Sequence, residues 1–161
     1  MITYRSIVDR IRKVSQNSRL VTSRPKIGRM CSFMYNPKTK DKLPFYDIFP
    51  LIIPVDFAKD GIFGINFHYL DLNNRKALLK MIAPMNSEKA TRKSIEISYV
   101  KLRTMGSTIW KPCFKRYLYS HIRTKIVDIP ISDWEEVIKL PVAGFVKSTA
   151  SGVYKASRKL F

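Results

Sequence analysis

The chain has 161 residues and sets 30 Lys and Arg against 12 Asp and Glu, a formal charge of +18. That length suits one domain with arms, and a 45% hydrophobic, 12% aromatic composition excludes wholesale disorder. Cys31 and Cys113 are the only cysteines and have no Cys-x-x-Cys spacing, which excludes a disulfide scaffold and a zinc ribbon; both read as buried small hydrophobes. No apolar run approaches the roughly 18 residues of a membrane span, and Met1-Ile2-Thr3-Tyr4-Arg5 does not open like a secretory signal, so a soluble intracellular product without membrane contact is expected.

The charge is segmented. Residues 1–40 carry ten basic and one acidic side chain, 41–90 six of each, and 91–161 fourteen and five, so the net charges are +9, 0 and +9. In the first segment Tyr4, Ile7, Val8, Ile11 and Val14 form one helical stripe with Arg5, Arg12 and Lys13 off it, a basic amphipathic helix whose favoured partner is a protein surface. Residues 17–29 have no period and read as an extended basic linker that either tracks phosphate or is held by acidic neighbours. Together, 1–29 are expected to be a basic helical arm and linker, and 30–161 a single α+β domain with a sheet over 30–70 and a helical part over 73–161.

Met30 to Tyr35 reads as a strand closed by the turn Asn36 to Asp41. A second strand covers Phe49 to Val55, where Pro50 and Pro54 push it to a sheet edge or a bulge. Asp60-Gly61 is a hairpin signal before a third strand, Ile62 to Leu70, giving a small curved antiparallel sheet, barrel-like if it closes. Asn73 or Asn74 caps a helix with the stripe Ala77, Leu78, Met81 and Ile82, stopped at Pro84. Residues 86–94 form a basic loop, and Ile95, Ile97 and Tyr99 alternate like a strand, though a helix through Leu102 fits as well. The rest reads as mostly helical. Phe114, Tyr117, Leu118, His121 and Ile122 share one helical face after Pro112; Ile126, Val127 and Ile129 form a short strand. Ser132 and Glu135 make a capping box for a helix of Trp134, Val137 and Ile138 that Pro141 closes, and Ser151 to Phe161 is a last basic helix with Val153, Tyr154 and Ser157 near one face.

Parts for catalysis are few. His121 falls on an apolar helix face, where a hydrogen-bonded core role is favoured over that of a base, and His68 shares a strand face with Asn66 and Leu70, which a structural hydrogen bond explains equally. Asp47, Asp56, Asp60 and Asp71 lack the spacing of a magnesium nuclease site, and no phosphate loop, zincin motif or nucleophile elbow is present, so no enzyme, metal or cofactor is expected. Trp110 to Tyr119 interleaves cations with rings, as nucleic-acid binding requires. A helical period would turn Phe114 and Tyr117 inward and leave Lys115 and Arg116 as a solvated face, which is the favoured reading of that stretch.

The words Ile27-Gly28-Arg29-Met30, Tyr35-Asn36-Pro37-Lys38, Leu43-Pro44-Phe45-Tyr46-Asp47-Ile48-Phe49-Pro50-Leu51 and Gly64-Ile65-Asn66-Phe67-His68-Tyr69-Leu70 resemble a family of short basic proteins of large contractile-tailed bacteriophages. Phe114-Lys115, Tyr117-Leu118, Trp134-Glu135, Leu140-Pro141 and Tyr154 with Ser157-Arg158-Lys159 resemble its C-terminal pattern, whereas Asp71-Leu72 stands where the family often has a second proline run. The resemblance implies a virion structural component without catalytic role. It is expected in the tail or baseplate, in copies set by assembly symmetry, and in the host cytoplasm during assembly. On that expectation Ile7, Ile11, Arg12, Arg19, Arg24, Lys26, Arg29, Lys115 and Arg116 meet acidic surfaces of neighbouring phage proteins. The alternative is a DNA-binding phage protein at the portal, at the genome end or in replication, with Arg19, Arg24, Lys26, Arg29, Lys111, Lys115 and Arg116 on phosphates.

Overall fold

The computed structural model describes residues 2–82 and 111–159. Helix α1, Tyr4–Val14, starts at Thr3, where the Thr3 and Ser6 side chains each accept from the other's backbone N–H. Its stripe is as the spacing predicts, but it is covered by the chain itself. Ile7, Val8 and Ile11 are buried in one core with Leu51, Ile53 and Ile65 of the sheet. Ile7 and Ile11, expected to reach a neighbouring subunit, are therefore closed off; sealing each inside stabilises this conformation by about 2 kcal/mol. Tyr4 Oη donates to the Lys125 carbonyl at 2.6 Å and Arg10 to that of Pro141 at 3.2 Å, which fixes the helix further.

The segment read as a linker contains β1, Arg19–Val21. Five further strands follow: β2 (Cys31–Ser32), β4 (Leu51–Phe57), β5 (Gly61–Asn66), β6 (Phe114–Leu118) and β7 (Ile126–Asp128), while β3 (Tyr46–Asp47) lies outside this sheet. They form one antiparallel sheet in the order β1-β7-β2-β4-β5-β6, with β1 and β6 at its edges among the described residues, so it does not close into a barrel. The prolines produce the bulge and not the edge: β4 is central, Pro50 precedes its ladder, and the register slips between Pro54 and Asp56. Gly28, at φ 78°, turns the chain so that its N–H reaches the Pro54 carbonyl at 2.8 Å. One face of the sheet packs on α1 and the later helices. The other gathers Phe33, Tyr35, Ile52, Ile62, Tyr117 and Ile126.

The C-terminal half departs most from expectation. Phe114 to Leu118 is not a helix but β6, paired residue for residue with β5 from Ile65–Phe114 to Gly61–Leu118. Apolar residues at 114, 117 and 118 fit either period, and the open edge of β5 decides, because its backbone groups need partners. His68 likewise leaves the strand for a 3-10 turn, Phe67–Tyr69, whose first donor bonds to Asn66 Oδ1 at 3.0 Å. Helix α2, Leu72–Ile82, is capped by Asp71, which accepts from Asn74 N at 3.0 Å, and not by Asn73 or Asn74. It buries Arg75, Leu78, Leu79 and Ile82, with Met81 half-buried and Ala77 exposed. The expectations for Pro84, for 86–94, for the alternation from Ile95 and for Trp110 lie outside the described residues. Helix α3 is a single turn, Trp134–Val137, without the Ser132–Glu135 capping box, since the turn Ile131–Asp133 places Asp133 at the cap position. Strand β8 (Phe145–Val146) pairs with β3, and α4 (Ala150–Lys159) buries Val153 and Ser157.

A buried polar network joins these parts. Asp47 Oδ1 accepts from the backbone N–H of Phe49 and Gly144, both at 2.9 Å; Oδ2 accepts from Asn66 Nδ2 at 3.1 Å and lies 2.7 Å from His68 Nδ1. Asn66 Nδ2 also donates to Tyr117 Oη at 3.2 Å. Arg75, itself buried, donates to the carbonyls of Leu70, His68 and Ile138 and to Tyr154 Oη. Burial opposes the charge on Asp47, yet His68 and the two backbone donors hold its carboxyl below the ordinary value.

Two outcomes follow. Gly61→Ala drives a methyl into the Tyr117 carbonyl, a contact that only backbone movement relieves; unfolding in urea should show a loss of about 2 kcal/mol or more. The Asp47 carboxyl binds its proton less readily folded than unfolded, so its contribution is complete above the ordinary carboxylate pKa of about 4 and declines as pH falls below it. Asp47→Asn should cost about 3 kcal/mol at neutral pH and flatten the acid limb of the stability profile, read from urea midpoints across pH.

Candidate nucleic-acid interface

The basic residues gather around the sheet face opposite the helices and its β6 edge, where Lys115 and the next residue, Arg116, point to opposite sides of the strand. β1 and the turn after it bring Arg19, Arg24, Lys26 and Arg29 around one concavity floored by Cys31 and Ile126. A second concavity shares Ser23, Arg24 and Ile126 with it and adds Lys59 from the β4–β5 turn and Tyr119. A third shares Asp60 with the second and continues to Lys38, Lys115 and Arg116. The three thus run on from one another along the face, lined by eight basic side chains against Asp128, Asp60 and the buried Asp47.

Each cation is placed by its local structure. Arg29 grips Asp128 with two hydrogen bonds, Nε at 3.2 Å and Nη2 at 2.7 Å, which raise its pKa, and Arg19 Nε lies 3.6 Å from the same carboxylate. Arg116 pairs with Asp60, whose carboxyl that hydrogen bond holds low. The Arg24 guanidinium lies 4.2 Å from the centre of the Tyr119 ring, a flat exposed surface of cation and π-face together. Lys115 Nζ lies 4.3 Å from the centre of the Tyr69 ring, and burial lowers its pKa. Lys26, Lys38 and Lys59 are exposed and have no salt bridge among the described residues. Two carboxylates on the face are therefore spent on three arginines, leaving five cations to attract an anion.

Six of the residues singled out from sequence, Arg19, Arg24, Lys26, Arg29, Lys115 and Arg116, meet on this face. Arg12 lies on the exposed side of α1 and Lys111 in the turn Lys111–Cys113; neither lines the groove. Lys38 and Lys59 carry no such signal in the sequence, whereas Tyr119 closes the run of cations and rings that begins at Trp110. Lys38 and Lys59 sit in turns, and only a strand reading of Phe114 to Leu118 would have carried Arg116 and Tyr119 to the same edge as the hairpin turn.

His68 is fully buried and His121 Nδ1 lies 2.7 Å from the Asn36 carbonyl. Cys31 and Cys113 are buried free thiols; burial pushes the pKa of Cys113 up to about 12 and that of Cys31 higher still, so both stay protonated. Among the described residues no three of His, Cys, Asp and Glu gather where they could hold a metal ion, and no helix is long and apolar enough to cross a membrane.

No curated protein and no solved structure matches the chain. A family described as "Phage T4 terminal DNA protecting protein" matches residues 5–160, from the first turn of α1 to the end of α4. A match of that extent covers the groove and the core alike, and the chain belongs to the phage T4 terminal DNA protecting protein family.

Proposed function

We propose that the protein binds the ends of phage DNA, in the infected host and in the virion, by seating the phosphate backbone along the basic groove, and that it acts by binding and not by chemistry. The observation that carries this reading is the series of three adjoining concavities, with eight cations along this face and its β6 edge. Phosphates spaced along a strand need cations spaced along a surface, whereas an isolated cluster would suit a single anion. The Arg24–Tyr119 pair adds a stacking surface of the sort that holds an unpaired base without reading its sequence. The family's description names DNA ends, which favours the genome-end alternative over a place in the tail or baseplate. The burial of Ile7 and Ile11 weighs the same way, since the apolar stripe meant for a neighbouring subunit is already occupied.

With five to eight phosphate contacts, log affinity should fall against log salt with a slope of about −4 to −7. Arg24→Ala and Lys26→Ala should each reduce that slope by about 1, on any sequence, while Arg12→Ala leaves it unchanged. Linear duplex should bind more tightly than the same duplex closed into a circle. Absence of DNA binding near physiological salt, measured by fluorescence anisotropy, would sink the proposal.

A further inference from the structure

Beyond Asp60 the groove enters a pocket of about 400 Å³, lined among others by Lys38, Phe45, Tyr46, Tyr69, Lys115 and Arg116. That volume is of the size that takes one small ligand. Its chemistry is uneven. Arg116 is engaged by Asp60, but Lys115, half-buried, lies over the Tyr69 ring and has no salt bridge among the described residues. A half-buried ammonium without a counter-charge is stabilised by an anion that reaches it with a charge-assisted hydrogen bond. Phe45 and Tyr46 stand half-exposed in the same wall and offer flat apolar surface next to that cation.

The turn that carries Lys38 and Leu43 into the lining is held from behind by Lys147. Lys147 has φ 68°, the left-handed region, which for a non-glycine residue costs on the order of 1 kcal/mol. From there its ammonium donates to the carbonyls of Lys40 at 2.7 Å and Leu43 at 3.0 Å and pins the turn that carries Lys38.

We infer that this pocket receives the terminal nucleotide of a DNA strand, its phosphomonoester on Lys115 with Lys38 and Arg116 at the rim, and its base against Phe45 and Tyr46. The inference rests on the groove being the DNA site. A monoester suits the pocket better than an internal diester because its second charge serves two cations at once.

Short duplexes with one unpaired terminal nucleotide, carrying a 5′-phosphate, a 3′-phosphate or hydroxyls alone, separate the two possible sources of the monoester when titrated against the full chain. One phosphorylated end should bind about tenfold tighter than the hydroxyl end, as a charge-assisted hydrogen bond supplies. Lys115→Met should erase that difference, bringing the affinity for a phosphorylated end down to that for a hydroxyl end. Lys38→Ala, at an exposed position that does not support the core, should reduce it severalfold even if the first variant folds poorly. Equal affinity for phosphorylated and hydroxyl ends, with linear duplex still preferred to circular, would overturn the pocket and leave the groove standing. Failure to bind any DNA would overturn both.

Discussion

A carboxylate sealed in an apolar interior either finds partners or loses its charge, and Asp47 finds four. They come from different parts of the chain: Phe49 from the segment leading into β4, Asn66 from the end of β5, His68 from the turn after it, and Gly144 from the approach to β8. No one of these segments is long enough to be stable alone, and β3 and β8 have two residues each. Asp47 makes them a unit. Its demand also explains why His68 is fully buried with Nε2 unpartnered: the ring is kept for what Nδ1 does.

Arg75 repeats the same logic one layer further out. Buried without a carboxylate partner among the described residues, it distributes its donors over the carbonyls that end the turn and α3, and over Tyr154 of α4. The guanidinium thereby supplies the helix termini with a partner that water would otherwise have to provide. One network thus reaches from the helical layer through Asn66 to Tyr117, and Tyr117 lies in the floor of the groove. The positions of Lys115 and Arg116 just before it in β6 depend on that bond as much as on the ladder.

What sequence reveals here depends on whether one period excludes the other. In α1 five apolar residues share one helical stripe across eleven positions, and no strand accounts for them. Asp60-Gly61 marks the hairpin because few other structures need that pair there. Phe114 to Leu118 lacks such a decision: three apolar residues in five satisfy both periods, and a neighbouring edge determines the outcome, which is a long-range fact. The groove inherits this ambiguity. Arg19, Arg24, Lys26 and Arg29 are adjacent in sequence and stand out as a basic run, whereas Lys38 and Lys59 join them only through the fold of the sheet. The buried pair was invisible for the same reason, since nothing near Asp47 in sequence announces that position 68 will meet it.

Among the described residues the sheet ends in two edges, β1 and β6, and both are basic: Arg19 stands on one, Lys115 and Arg116 on the other. An unpaired edge is a template for another copy, and like charges along it are a deterrent to edge-to-edge growth. The cations that attract an anion therefore also keep two copies apart in free solution. A polyanion lying across several molecules would neutralise that repulsion, so the same charges that isolate the protein when alone would permit close neighbours once it is bound.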